Sequence, residues 1–476
     1  VIEKINLTML TDFYELTMAN GYLKHGIGER IAYFDMFFRK IPDNGGFAIM
    51  AGLEQLIAYL DGLRFSREDI EFLRSKNIFC EEFLQYLHEF KFSCDVWAVP
   101  EGTPIFPGEP IVTVRGPVIQ AQFIETMTLL TINHQSLIAT KANRVVRAAQ
   151  GRAVMEFGTR RAHGASGAVY GARAAYIGGC VGTACTLADR DHDIPAMGTM
   201  AHSWIQMFPT EYEAFRAYTE LYPHNAVLLV DTYNTLKSGV PNAIKVFREL
   251  RPSSMGIRID SGDITYLSKK AREMLDEAGL QDCRIVASNS LDEYLIRDLI
   301  VQGACVDVFG VGERLITSRS EPVFGGVYKL AAVEENGEII SKIKISDNIE
   351  KITNPGFKKL FRLFDKDSGK AIADVITLAD EEIPEDRDYE LFDPGFVWKR
   401  KMATNFIARK LQERIFKRGK CVYKSPSIEE IRHRCIEEVS TLWDEMLRFE
   451  NPHEYYVDLS RNLWELKDRL IKEFRF

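Results

Sequence analysis

Apolar and polar positions along the chain change their period several times, and each change predicts a change of structure. Leu16 to Leu23 carries helical spacing, Ile31 to Phe38 alternates as a strand does, and Leu53 to Leu60 returns to the helical period. Ser66 followed three residues later by Asp69 predicts a capped helix start. From Phe92 to Pro117 the apolar runs Cys94 to Val99 and Ile111 to Arg115 flank a Pro-Glu-Gly turn at 100–102, which predicts short antiparallel strands. Val118 to Ala149 predicts a long helix or a helix pair.

After Ala149 the pattern becomes rhythmic. Short apolar runs at Ala153–Phe157, Ala226–Val230, Met255–Ile259, Arg284–Ala287 and Cys305–Phe309 each end in a polar or glycine cluster, usually before a helical stretch. Two further clusters, Gly182 to Cys185 and Gly198 to Ser203, recur at the same spacing. Strands alternating with helices imply βα units on a parallel sheet. Seven such units with their chemistry at the strand ends favour a barrel-like sheet with one active face, and an open doubly wound sheet is the alternative. Beyond Gly326 two hairpins are predicted, one turning at Asn336-Gly337 and one at Asp367-Ser-Gly369. Charged loops at 380–390 precede a helical tail over Ser427 to Leu447 and Leu459 to Phe474. The expected division is an α+β sheet-rich N-terminal domain over 1–120, joined by later segments, an α/β catalytic domain over 121–330, and C-terminal hairpins and helices over 331–476.

Composition narrows the function classes. The 476 residues carry a net charge of −8 and are 46% hydrophobic and 27% charged, as in a globular chain. That balance argues against a nucleic-acid binder. The start, Val1-Ile-Glu-Lys, lacks the basic and apolar regions of a signal peptide, and no run approaches the ~20 apolar residues of a membrane span. The eight cysteines form no CxxC pair and no zinc spacing, so a cytoplasmic location with free thiols is expected.

The strand-end clusters hold the candidate chemistry. His202, in Gly198-Thr-Met-Ala-His-Ser203, has small and hydroxylic neighbours that let a ligand approach the backbone, and an imidazole can act as base or phosphoryl acceptor. Arg258 and Asp260 project to one side of an extended segment. The guanidinium suits a carboxylate or phosphate, and Asp260 and Asp263 suit ribose hydroxyls or Mg²⁺. Arg160 and Arg161 form a second cationic cluster, and Gly310 and Gly312 are candidates for an anion nest. No Walker A loop, GxSxG or HExxH is present, so any use of ATP would need a different kind of site.

In order, Leu10-Thr-Asp-Phe-Tyr14, Ala51-Gly-Leu-Glu54, Leu137-Ile-Ala-Thr-Lys141, Glu156-Phe-Gly-Thr-Arg-Arg-Ala162, Gly198 to Ser203, Val230-Asp-Thr-Tyr233, Arg258 to Asp263, Ala287-Ser-Asn289, Phe309-Gly-Val-Gly312 and Gly326-Val-Tyr-Lys-Leu330 resemble the nicotinate phosphoribosyltransferase family. The resemblance implies a type II phosphoribosyltransferase fold: an irregular α/β barrel with a sheet-rich N-terminal domain. It implies that nicotinate and 5-phosphoribosyl 1-diphosphate give nicotinate mononucleotide and diphosphate in NAD salvage. It further implies coupling to ATP hydrolysis through a phosphohistidine at His202, a need for Mg²⁺, and a homodimer in which Tyr14 completes the neighbouring site.

By the same resemblance nicotinate would lie between Tyr14 and Phe157, its carboxylate held by Arg258 with Thr199 and Arg160. Asp260, Gly310 and Gly312 would hold the phosphoribosyl diphosphate. Related nicotinamide enzymes place Asp where this chain has Ala184, which favours the acid as substrate. Nicotinamide, quinolinate or a non-catalytic nucleotide-binding barrel are the alternative readings. One position departs from the family: Glu313 stands where Thr is usual.

Overall fold

The computed structural model describes residues 6–348, 351–393, 398 and 400–474. The chain forms two compact units, one from residues 1–137 with 323–476 and one from 138–322. The segment after 323 therefore shares a unit with the N-terminal residues, where the sequence pattern suggested a third region starting at 331. Among the described residues no helix is long and apolar enough to cross a membrane.

The first unit is built on sheets whose pairs are antiparallel apart from Ala371–Leu378 with Val457–Leu459, which run parallel. One has seven strands in the order Glu338–Ser341, Gly326–Glu335, Ile31–Phe38, Val112–Pro117, Asp95–Ala98, Glu413–Lys417 and Lys420–Cys421. A six-stranded sheet is centred on Lys358–Asp365 and Ala371–Leu378, and between these two the predicted turn at Asp367 to Gly369 closes the hairpin. Asn336 and Gly337 both have positive φ, 53° and 83°, which is the backbone that matches a two-residue hairpin to strand twist. Ser66 and Asp69 make the reciprocal capping box at the start of the helix Arg67–Ser75. The core packs Phe34, Met36 and Phe38 of one strand against Leu53, Leu56 and Leu60 of the helix Leu53–Gly62. The helical stretch from 118 is a pair, Val118–Phe123 and Glu125–Ala148.

The second unit carries a parallel sheet of six strands in the order Gly182–Thr183, Ala153–Glu156, Val308–Val311, Arg284–Ser288, Met255–Ile259 and Ala226–Leu229. Its two outer strands do not pair with each other, so the sheet curls as a half-barrel and stays open. Six units stand where seven were expected. The stretch before Gly198 makes only an isolated bridge, Ala196 to Thr183, because Pro195 has no N–H to continue a ladder. Helices such as Val240–Leu250 and Ile264–Glu277 pack Val246, Phe247, Ala271 and Leu275 onto buried strand residues Leu228, Ile257 and Ile285. The strand predicted over Cys305–Phe309 runs from Val308 to Val311, so Gly310 lies inside it.

Candidate active site

The strand ends of the parallel sheet bring together most of the expected polar residues. Arg258 lies near the end of the strand Met255–Ile259, with Asp260 just beyond it. Its guanidinium is held on three sides: Nε donates to Ser288 Oγ at 2.8 Å, Nη2 to Asp260 Oδ1 at 2.7 Å, and Nη1 to Thr199 Oγ1 at 3.3 Å. Ser288 Oγ also donates to Asp260, closing a triangle of arginine, serine and carboxylate. Such bracing fixes the plane of the guanidinium and leaves a second N–H on Nη2 for an incoming anion. The Phe157 ring lies 5.6 Å from the guanidinium carbon, so an aromatic face and a cation meet at one place.

Phe157 is positioned by what lies on either side of it. Its N–H donates to Val311 O at 2.8 Å, and Gly310 passes directly beneath its ring. A Cβ at Gly310 would sit 2.5 Å from Phe157 Cδ2, which explains why glycine is required in that strand. Glu156 is fully buried, and its carboxylate accepts from the Gly158 N–H and, at 2.6 Å, from Thr183 Oγ1. Burial pushes its carboxyl above the usual range, while those two hydrogen bonds oppose the shift. Glu156 thus joins the turn bearing Phe157 to the strand that precedes Ala184, whose own N–H bonds to Glu156 O at 2.8 Å. Ala184 is exposed at that strand end.

His202 is the first residue of a five-residue helix, His202–Gln206, rather than the end of a strand. Its Nδ1 lies 3.0 Å from Thr232 Oγ1, in the cluster that follows the strand Ala226–Leu229. Beside Thr232, Asp231 accepts through Oδ2 from the Asp260 N–H at 3.0 Å and from Ser261 Oγ, and its Oδ1 is buried without a hydrogen-bond partner among the described residues. That pairing ties the histidine cluster to the Arg258 cluster within one unit.

Other candidates are placed differently. Arg160 and Arg161 are exposed on the 3₁₀ turn Thr159–Arg161, and no hydrogen bond connects Arg160 to the Arg258 group. Asp263 spends Oδ1 on the Tyr266 N–H as the cap of the helix Ile264–Glu277. Gly312 is the N-cap of the short helix Glu313–Ile316. Glu313 pairs with Arg319 at 3.3 Å on an open cavity of about 470 Å³ that also involves Arg161, His163 and Thr317. Its charge therefore has a cationic partner. Tyr14 belongs to the other unit, partly exposed on the helix Phe13–Lys24. Burial and the hydrogen-bonded Glu125 carboxylate push its phenol well above the usual range. Among the described residues no group of three or more His, Cys, Asp or Glu is arranged to hold a metal ion.

Ser288, Thr232 and Glu156 were assigned no role from the sequence. Each lies inside a strand-end cluster that the sequence displays, and only the tertiary structure shows which candidate residue it supports.

Three family models cover nearly the whole chain: the nicotinate phosphoribosyltransferase N-terminal domain over residues 9–133, the nicotinate phosphoribosyltransferase family over 152–368, and its C-terminal domain over 357–467. A nicotinate phosphoribosyltransferase of Bacillus subtilis is 43% identical over 472 residues, covering 99% of this chain and 96% of that protein. The chain belongs to the nicotinate phosphoribosyltransferase family. It is an enzyme, a phosphoribosyltransferase, and members extend to the human nicotinate phosphoribosyltransferase at 31% identity over 96% of its length. The crystal structure of human nicotinic acid phosphoribosyltransferase superimposes with a TM-score of 0.85 at 29% identity, over 97% of this chain and all of that one. A nicotinate-nucleotide pyrophosphorylase from Pyrococcus furiosus, at 23% identity and a TM-score of 0.69 over 92% of this chain and 96% of that one, shares the fold.

Proposed function

We propose that this chain transfers the phosphoribosyl group of 5-phosphoribosyl 1-diphosphate to nicotinate in NAD biosynthesis, driven by ATP through a phosphorylated His202. The observation that supports the reading best is Arg258, braced by Ser288, Asp260 and Thr199 beside the Phe157 ring. A flat anionic ring is what this pairing selects: Phe157 offers a face, and Arg258 offers fixed N–H donors to a carboxylate. Ala184 presents no carboxylate at the neighbouring strand end, so an acid is not repelled there.

In the proposed reaction the pyridine nitrogen donates its lone pair to ribose C1. The bond from C1 to the diphosphate oxygen breaks, and diphosphate leaves with that electron pair. Positive charge grows at C1 as the bond lengthens, so orientation and nearby carboxylates do most of the work. Asp260, which accepts from Arg258 Nη2 at 2.7 Å, would hold the ribose hydroxyls. Asp231 Oδ1, buried and unpartnered, together with Asp260 fits the oxygen ligands that Mg²⁺ takes alongside substrate phosphates. The ion would neutralise the departing diphosphate.

For ATP use, His202 Nδ1 is hydrogen-bonded to Thr232 Oγ1, and the tautomer in which Nδ1 donates carries its lone pair on Nε2. Nε2 attacks the γ-phosphorus, ADP leaves, and water later cleaves the phosphoryl–nitrogen bond. Tyr14, partly exposed on its helix, would complete the site of a second copy in a homodimer.

The deciding experiment measures product from nicotinate, nicotinamide and quinolinate with phosphoribosyl diphosphate, with and without ATP. The expected result is turnover of nicotinate, raised by ATP, with γ-labelled ATP labelling the wild type and not His202→Ala. Equal labelling of both proteins removes the phosphohistidine, and turnover of nicotinamide in preference to nicotinate removes the acid assignment. A monomer that remains fully active in light scattering removes the shared site.

A further inference from the structure

Ser288 is the last residue of the strand Arg284–Ser288. That strand runs parallel to Met255–Ile259, with Val286 opposite Arg258. Residues two apart on a strand share a face, so Ser288, Arg258 and Asp260 lie on one side of the sheet. Ser288 is 2% exposed. The two residues after it, Asn289 and Ser290, both have left-handed backbones, with φ of 95° and 47°. Neither is glycine, so the turn is strained, and such strain persists where the surrounding structure demands it.

The Ser288 hydroxyl is used in both directions. It accepts from Arg258 Nε at 2.8 Å and donates to Asp260 Oδ1. The same Oδ1 accepts from Arg258 Nη2 at 2.7 Å. Arginine and carboxylate therefore meet through a single oxygen, with the serine wedged on the Nε side. Among the described residues no hydrogen bond reaches Asp260 Oδ2. On its far edge Arg258 Nη1 reaches only Thr199 Oγ1 at 3.3 Å and Met200 O at 3.5 Å, which are long contacts that a carboxylate can replace with short ones.

The other unit shows what an arginine and an aspartate do when nothing separates them. Arg362 Nε donates to Asp374 Oδ1 at 2.8 Å and Nη2 to Oδ2 at 2.7 Å, a two-point pair with both side chains fully buried. That fork is the strongest arrangement open to the two groups. At Arg258 the corresponding fork would join Nε and Nη2 to both oxygens of Asp260. It would pull the guanidinium toward Asp260, cancel charge that a substrate anion needs, and take up the free Oδ2.

We propose that the Ser288 hydroxyl is a positioning group that keeps Arg258 and Asp260 from closing into a two-point ion pair, and so keeps the site receptive to an aromatic carboxylate. The inference rests on the reading of Arg258 as the residue that holds the nicotinate carboxylate. Without the hydroxyl, Arg258 Nε loses its acceptor on a side chain that is 15% exposed. An unpaired donor in that setting is costly, and the nearest replacement is the free oxygen of Asp260. The loss then falls on substrate binding, because the new pair satisfies the protein's own groups.

Calorimetric titration of the full chain with nicotinate, alongside thermal melts, tests this. The wild type is expected to bind and Arg258→Ala to lose binding. Ser288→Ala is expected to bind about tenfold more weakly with its Tm kept, the equivalent of one hydrogen bond to a charged group. Ser288→Cys, which keeps a weaker hydrogen-bonding group and nearly the same volume, is expected to fall between, and it carries the comparison if the alanine variant loses stability. In an Asp260→Asn background, which offers one acceptor and no two-point pair, Ser288→Ala is expected to weaken nicotinate by about threefold at most. Unchanged affinity in Ser288→Ala, or equal weakening in both backgrounds, would overturn the inference and leave Arg258 as the carboxylate holder. Failure of the wild type to bind nicotinate, or full binding by Arg258→Ala, would overturn the reading beneath it and the inference with it.

Discussion

Replacing Gly310 by alanine probes the proposed nicotinate site through packing alone. The added Cβ would lie 2.5 and 2.6 Å from Phe157 Cδ2 and Cε2, with Ser288 Cβ at 3.4 Å. Two carbons prefer about 3.5–4.0 Å, so the Phe157 ring has to withdraw by about 1 Å. The Gly310 backbone is not left-handed, and the perturbation is steric rather than conformational. Overpacking of this kind costs about 1–3 kcal/mol, and each kcal/mol lowers Tm by about 2–4 °C in a unit of this size.

If the pyridine ring lies on Phe157, the displaced ring forfeits stacking of about 0.5–1.5 kcal/mol. That converts to roughly a two- to tenfold rise in KM for nicotinate. Steady-state kinetics with each substrate varied in turn, together with a thermal melt, provide the measurement. An unchanged KM for nicotinate with a normal Tm would refute both the contact and the role of Phe157. A rise confined to KM for phosphoribosyl diphosphate would show that Gly310 serves phosphate approach instead.

Two further outcomes follow from buried carboxylates. Glu156→Leu leaves the Gly158 N–H and the Thr183 hydroxyl without their acceptor, at about 1–3 kcal/mol for each stranded group; Glu156→Gln, which keeps an oxygen there, is expected to retain most of the lost stability and nicotinate KM, as melts and kinetics of the pair will show. Glu15 is pushed up to about 7 by burial first and by the Glu125 charge, against hydrogen bonds from Thr11 and Thr126. The folded state therefore holds this proton more tightly than the unfolded chain. Its contribution to stability falls as pH rises from the ordinary carboxylate range through about 7 and is level above that. Glu15→Gln is expected to flatten the pH dependence of the urea midpoint between pH 5 and 8, and an unchanged slope would refute this.

The expected elements that matched were those whose signals are local. Ile31 to Phe38 is a strand at the predicted residues, although Ala32 to Met36 are all buried, so both faces of the strand are covered. The Ser66 cap and the Asn336-Gly337 turn are likewise decided by groups within four residues of each other. The strands over 400–421 were not anticipated. They are short and charged, and they gain their pairing from distant strands such as Asp95–Ala98 and Lys358–Asp365. The expectation of a seventh βα unit failed on one residue, Pro195, whose missing donor leaves a bridge where a strand would stand.

By itself the sequence determined the family, through ordered motifs, and displayed the candidate residues of the proposed site for an anionic aromatic substrate: Phe157, Arg258, Asp260 and His202. It also showed that a chain of net charge −8 must gather its cations locally to hold such a substrate. Only the tertiary structure decided which of those cations gather. Arg258 is braced by Ser288 from the neighbouring strand and by Thr199 from a loop 59 residues away, whereas Arg160 stays exposed on its turn. The physical reason is that a side chain's partners across a parallel sheet are set by strand order and register. Those are long-range hydrogen-bonding choices that the local hydrophobic period does not encode.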